Sequence, residues 1–192
     1  MKKEILLLFV LLLTTLVFFG QKRALKDAED YLEEGKLDMA ASSIELATDG
    51  RDDEKIIDEA DTWFIKGKIY HAICKSSRYR GLFDDAAEKA YSAYMRALDI
   101  GKKEMADKRR DYKDKPLIIT ALLNVNEYLT EKAKKGYKLN DFKNALKLYE
   151  YSIDIHELPE IKQTDTTSIY FAGLSAKKIS QYNKAMQYFD KC

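Results

Sequence analysis

Along this chain apolar and small residues recur three or four positions apart, and no stretch sustains the period-two alternation of a half-buried strand. From residue 21 onward the pattern predicts an all-α protein. One stripe appears four times: an apolar or aromatic residue, Ala three positions on, an apolar or small residue four further, and a small residue after three more. Its instances are Leu37, Ala40, Ile44, Ala47; Phe83, Ala86, Ala90, Ala93; Phe142, Ala145, Tyr149, Ser152; and Tyr182, Ala185, Phe189, Cys192. Each describes one face of a helix, with small side chains where another backbone must come close.

A first helix precedes each of these. Its packing triplet stands at i, i+4 and i+7: Ala24, Ala28, Tyr31; Trp63, Gly67, Tyr70; Leu129, Ala133, Gly136; and Ile169, Gly173, Ala176. A mid-helix Gly costs about 1 kcal/mol relative to Ala, so its repeated use predicts close helix contact. From the last triplet residue to the opener of the second helix the distance is six residues for Tyr31 to Leu37, Gly136 to Phe142 and Ala176 to Tyr182. Tyr70 to Phe83 is thirteen, which predicts a seven-residue insertion in the second hairpin turn. Closure entropy grows only logarithmically with length, so such an insertion costs little.

These residues resemble the tetratricopeptide repeat, a 34-residue helix-turn-helix with the pattern W-x2-L-G-x2-Y and then A-x3-F. Trp63, Gly67 and Tyr70 reproduce the first part, with Lys66 in place of Leu, and Ala185 and Phe189 reproduce the second. The resemblance covers Gln21 to Cys192. It implies a right-handed α-solenoid of antiparallel helix hairpins, about four units near residues 21–50, 54–100, 116–156 and 165–192, the last incomplete. The aligned Ala residues, at 40, 86, 145 and 185, stand further apart than 34 residues, so longer helices or loops separate the units. Tyr31, Tyr70, Tyr149 and Tyr182 take repeat positions between packed helices, which accounts for part of a surplus of 13 Tyr.

The first twenty residues read differently. Lys2 and Lys3 precede an apolar run from Ile5 to Phe19, broken only by Thr14 and Thr15 and followed by Gly20 and a charged stretch. That is the layout of a secretory signal peptide. As a helix the run would span about 22 Å, short of the ~30 Å hydrocarbon core of a bilayer. Cleavage after Gly20 is the expectation; the alternative, suggested by bulky Phe18, is an uncleaved amino-terminal anchor, through which alone the chain would meet a membrane. The expected location is the periplasm or cell envelope.

Charge adds little. There are 33 basic and 32 acidic side chains, and removing residues 1–20 leaves 31 of each. A neutral chain gives no general reason to bind nucleic acid. Between Gly101 and Lys115 eleven of fifteen residues are charged, but of both signs, which predicts a solvated connector or an exposed helical extension. Pro116 suits the first turn of the following helix, whose buried stripe is Ile118, Leu122, Val125, Leu129 and Ala133.

No catalytic constellation is legible. His71 and His156 have no second His or Cys at ligand spacing, and no phosphate loop, G-x-S-x-G or H-E-x-x-H occurs. Asp52-Asp53 and Asp84-Asp85 sit where helices begin and complement the helix dipole. Cys74 and Cys192 fall on apolar helix faces in different parts of the chain and read as buried thiols. The inserted turn Lys75 to Leu82, with Arg78, Tyr79 and Arg80, reads as an exposed loop. The chain is expected to have no cofactor and no metal, and not to be an enzyme.

What remains is binding. The resemblance implies that first helices line a concave groove for an extended peptide or a partner helix. One position along from each packing triplet, the groove rows are Leu25, Glu29, Leu32; Phe64, Lys68, His71; Thr130, Lys134, Tyr137; and Tyr170, Leu174, Lys177. Leu25 and Glu29 replace the residues of the carboxylate clamp that binds chaperone tails, so that ligand is disfavoured. The leading expectation is a non-catalytic interaction scaffold for a protein or peptide; the alternative is the amino-terminal adaptor region of a larger envelope enzyme or wall-binding protein. Because repeat arrays need a polar terminal unit, the fourth hairpin is expected to be covered by further chain or by another protein.

Overall fold

The computed structural model describes residues 20–49, 59–106 and 112–192, and among them every regular element is a helix. The apolar leader 1–19, Asp52-Asp53 and the middle of the charged connector lie outside the described residues. In chain order the helices are α1 (residues 20–33), α2 (Leu37–Ala47), α3 (Ala60–Lys75), α4 (Ala86–Ala106), α5 (Lys115–Lys138), α6 (Phe142–His156), α7 (Thr166–Lys178) and α8 (Tyr182–Asp190). They form hairpins, α1–α2, α3–α4, α5–α6 and α7–α8. The chain falls into two compact units. One holds the described residues up to Asp84 with Ser92–Lys113; the other holds Asp85–Tyr91 with Asp114–Cys192.

The equal six-residue spacing has a single cause, because three hairpin turns are built alike. Gly35, Asn140 and Ser180 each adopt a left-handed conformation, with φ of 73°, 63° and 63°. The next residue, Lys36, Asp141 or Gln181, donates its N–H at 2.9 Å to the carbonyl of Tyr31, Gly136 or Ala176. The left-handed residue itself donates to a carbonyl three back, at 3.1 Å in each case. This pair of bonds is the Schellman helix stop, which satisfies the last carbonyls of the first helix. The second helix starts directly afterwards, so the distance from triplet to opener is fixed by hydrogen bonds.

In the first unit, α2 packs on α3. Lys66, where the repeat pattern has Leu, reaches α2: its ammonium lies 2.8 Å from both Glu45 Oε2 and Thr48 Oγ1 and 5.3 Å from the centroid of Trp63. Tyr70 donates its hydroxyl to the other Glu45 oxygen. The departure from the pattern is therefore a polar tie between hairpins, with the lysine ammonium over the indole face.

The second hairpin corrects the expected register. The ring of Tyr94 lies where a Cβ on Gly67 would stand, as the ring of Phe189 does for Gly173. The flanking contacts repeat as well, Phe64–Tyr94 and Tyr170–Phe189 both having centroids 6.1 Å apart. Ala90 is thus the equivalent of Ala185, and Ala86 lies one helical turn too early. Tyr70 to Ala90 is 20 residues against 9 in the other hairpins, so the insertion is eleven residues rather than seven. It is taken up by extending α3 to Lys75, by a short 3-10 turn Arg80–Leu82, and by the first turn of α4. The turn is not a merely exposed loop, since Tyr79 is buried.

The charged connector begins as the exposed helical extension, one of its two expected forms, with Lys102, Lys103 and Glu104 exposed, but it is also tied down by packing. Its first residues extend α4 to Ala106, and Gly101 is buried beneath the Tyr112 ring, whose hydroxyl donates to the Asp61 carboxylate. Both ends of the segment are therefore anchored in the first unit.

In the second unit α6 packs on α5, α7 on α6 and α8 on α7. Pro116 lies in the first turn of α5, and Ile118, Leu122, Val125, Leu129 and Ala133 are all fully buried, as their spacing predicts. Burial of each of the larger of these side chains is worth roughly 1.5–3 kcal/mol. The start of α4 belongs here too. Tyr91 stacks on Tyr151 at 4.2 Å and donates its hydroxyl to Asp154 at 2.8 Å, while Lys132 pairs with Glu88 at 2.8 Å. Tyr149 is fully buried, but Tyr182 is 60% exposed, so the fourth expected repeat tyrosine does not stand between helices. Cys74 is buried; Cys192, expected on a buried face, is exposed beyond the end of α8.

Candidate functional site

The first-helix rows have different fates in the two units. On α1, Leu25 and Leu32 are half-buried and Glu29 is exposed. On α3, Phe64 is half-buried beneath the exposed Lys68, whose ammonium is 5.4 Å from the ring centroid. His71 does not belong to an accessible row. It is buried edge-on against Tyr94, whose hydroxyl lies 3.5 Å from Nδ1, because the register of α4 brings that ring over the α3 face. Burial, and after it the nearby Lys75 cation, push its pKa down to about 4, so it is a neutral core residue at pH 7.

The second unit brings its row residues together. Phe171 of α7 stands edge-on to Tyr137 of α5 at 5.5 Å and to Tyr170 at 5.6 Å. Tyr137 also meets Phe142 at 5.2 Å, and Phe171 stacks on the buried Tyr149 at 5.7 Å. The cluster is amphipathic: Tyr149 forms its floor, Tyr137 is half-buried, and Tyr170 is 48% exposed. Leu174 is half-buried beside it, and Lys134 and Lys177 stand exposed on the same two helices. Aromatic faces on helices that also carry exposed lysines suit an apolar side chain next to an acidic group. Thr130 is half-buried, its hydroxyl bonded back to the Asn126 carbonyl at 2.9 Å.

Sequence reasoning missed Phe171, the ring that joins α5 to α7. The signal was present in Tyr170-Phe171: adjacent helical residues point about 100° apart, so when Tyr170 faces outward its neighbour turns toward the preceding helix.

Ser, His and Asp side chains also meet in the second unit, at the α6–α7 junction. Ser152 Oγ donates to Asp165 Oδ2 at 3.0 Å, Ser168 Oγ donates to Ser152 Oγ at 3.0 Å, and His156 Nδ1 donates to the Ser152 carbonyl at 2.8 Å. Asp165 in turn accepts the Ser168 N–H at 3.1 Å and caps α7. A nucleophile needs a base on its hydroxyl. Here each serine hydroxyl is spent on an oxygen acceptor and the imidazole on a backbone carbonyl. Burial raises the Asp165 pKa, but the hydrogen bonds from Ser168 and Ser152 and the nearby His156 outweigh it and leave the carboxyl below its usual range. The adjoining pocket holds about 190 Å³, less than the roughly 300 Å³ at which small-molecule sites begin. The cluster is a helix cap that joins α6 to α7. Among the described residues no three His, Cys, Asp or Glu side chains are grouped to hold a metal ion.

No family model and no curated protein matches the chain. Among solved structures, one titled "Crystal structure of MamA protein" is similar at 14% identity and a TM-score of 0.29, over 90% of this chain and 89% of that one.

Proposed function

We propose that this chain is a non-catalytic, tetratricopeptide-like scaffold of the bacterial envelope that binds a protein partner along its first helices. The observation that carries the reading is the placement of Phe171 edge-on to both Tyr137 and Tyr170, which joins the α5 and α7 rows into one aromatic surface on helices that also carry the exposed Lys134 and Lys177. In the first unit Phe64 and Lys68 present the same pair of chemistries. The rings are held by packing before a partner arrives, so binding orders few side chains and loses little entropy. The envelope location rests on the leader, whose basic start and short apolar run suit export. Among the described residues no helix is long and apolar enough to cross a membrane.

The test is co-purification of the tagged full chain from envelope fractions, with Phe64→Ala and Tyr170→Ala compared with wild type and helicity checked by circular dichroism. Loss of a partner at unchanged helicity supports the reading. A partner held equally by all three chains contradicts it.

A further inference from the structure

The connection within the second hairpin is eleven residues longer than in the other three, and the added residues are ordered although they bury little. Between Ser76 and Leu82 only Tyr79 is buried. The backbone is satisfied from within the turn: Tyr79 donates its N–H to Ser76 Oγ at 3.3 Å, Arg80 donates to the Ser76 carbonyl at 3.0 Å, and Leu82 donates to the Tyr79 carbonyl at 2.9 Å. Phe83 closes the turn, edge-on to the buried Tyr70 at 6.4 Å. Fixing these residues costs backbone entropy that the Schellman turns of the other hairpins avoid.

The turn holds cations outward without giving them partners. Lys75, Arg78 and Arg80 are exposed, and among the described residues none of the three pairs with a carboxylate. Lys66 and Lys89, on the two helices that the turn joins, pair with Glu45 at 2.8 Å and Asp85 at 3.3 Å. Asp84 and Asp85, the acids that follow the turn, have partners of their own. Only 7 of the 33 basic residues are Arg, so two of them within three positions is a local concentration. Arg presents a planar fork that fits a carboxylate with two hydrogen bonds, and it is enriched at protein interfaces where Lys is depleted. The Arg78 guanidinium lies 5.0 Å from the centroid of the buried Tyr79 ring, which restricts its rotamers before anything binds. Leu82 is 70% exposed, more than any other large apolar side chain among the described residues.

We infer that this turn docks on an acidic surface of another protein, with Leu82 entering an apolar recess and Arg78 and Arg80 bonded to carboxylates at its rim. An apolar anchor beside Arg side chains is the make-up of an interface hot spot. An anionic membrane is the poorer fit, since a polybasic lipid site holds about four to eight Lys or Arg and the turn exposes three. Residues 75–82 lie in mid-chain in the first unit, whereas Tyr137, Tyr170 and Phe171 belong to the second.

The probe is a photo-crosslinking amino acid in place of Leu82 in the full chain, irradiated in living cells, with a second chain carrying it at the exposed Ser77 so that Leu82 stays intact. One protein adduct is expected, cut roughly tenfold or more when Arg78→Glu and Arg80→Glu are combined. Mass spectrometry is expected to place the crosslink beside two or more Asp or Glu residues of the partner, and reversing those to Lys restores the adduct to the Glu variant. Arg78 and Arg80 are exposed, so the charge reversal keeps the fold, which thermal unfolding verifies. Tyr137 and Tyr170 are intact throughout, so failure here and failure of the first-helix reading are distinct results. No adduct from either position overturns the inference. So does an adduct that survives the double charge reversal. A crosslink to lipid, to another part of this chain or to a second copy of it also overturns it, because each would make something other than a separate acidic protein the occupant.

Discussion

The ring of Tyr94 occupies the space that a Cβ on Gly67 would fill, with Cγ, Cδ1 and Cε1 all inside normal contact distance of that position. Tyr94 is fully buried, so its ring has no free volume into which to retreat. Gly67→Ala gains about 1 kcal/mol of helix propensity but incurs an overpacking cost of roughly 2–3 kcal/mol. A net loss of about 1–2 kcal/mol is expected in urea unfolding. At the equivalent Gly173 the facing ring, Phe189, is partly exposed and can swing aside, so Gly173→Ala is expected to lie within about 0.5 kcal/mol of wild type on the same propensity and packing terms.

Gly136 is a different case. A Cβ there meets the Asp141 carbonyl at 3.5 Å and Ala145 Cβ at 3.7 Å, which is ordinary contact. Its backbone is helical. Gly136→Ala is expected to stabilise the protein by about 0.5–1 kcal/mol through helix propensity, read as a raised midpoint in the same urea titration. A loss of stability would show that the α5–α6 contact is tighter than these distances.

The three hairpin stops differ in how well their sequences suit a left-handed residue. Gly35 is free to adopt it and Asn140 tolerates it, but Ser180 carries a steric cost of roughly 1 kcal/mol. Ser180→Gly is expected to raise the unfolding midpoint by relieving that cost, and Gly35→Ala to lower it by a similar amount. Thermal scans of the two variants give the comparison, and equal effects of the same sign would contradict the shared turn geometry.

His71 makes stability depend on pH. Its folded pKa is lowered to about 4, against about 6.5 in the unfolded chain. Between those values the unfolded chain binds a proton that the folded chain does not, so this contribution is complete above about pH 6.5 and is lost as pH falls toward 4. The loss is on the order of 2 kcal/mol. Urea titrations at pH 7.5 and pH 4.5 are expected to differ more for wild type than for His71→Phe, which removes the titrating group.

Much of the helical architecture is legible in the sequence because two constraints repeat. Burial on one face sets the 3.6-residue period, which placed the α5 stripe residue by residue. The Schellman stop sets the six-residue spacing, which located three of the four hairpin turns. The second hairpin was misread by one helical turn for a physical reason: Ala86, Ala90, Ala93 and Ala97 are small at every turn of α4, so the stripe matches equally well when shifted by four. The Tyr94 ring over Gly67 decides between the registers, and in the shifted one Tyr94 takes the stripe position of Tyr149 and Phe189. The same shift buries His71, which the row arithmetic had placed on the groove. Tyr112 lay hidden in a charged run because its partners, Gly101 and Asp61, are brought to it by tertiary packing alone.

The first helices of the second unit are proposed to bind a protein through the surface that Phe171 joins. The most direct test is to place a photo-crosslinking amino acid at Tyr137 or Tyr170 in the full chain, and at the exposed Lys143 of α6 as a control, and to irradiate living cells. One specific protein adduct is expected at both row positions and none at Lys143. Adducts equally strong at Lys143, or none at either row position in cells where the protein is exported and folded, would contradict it.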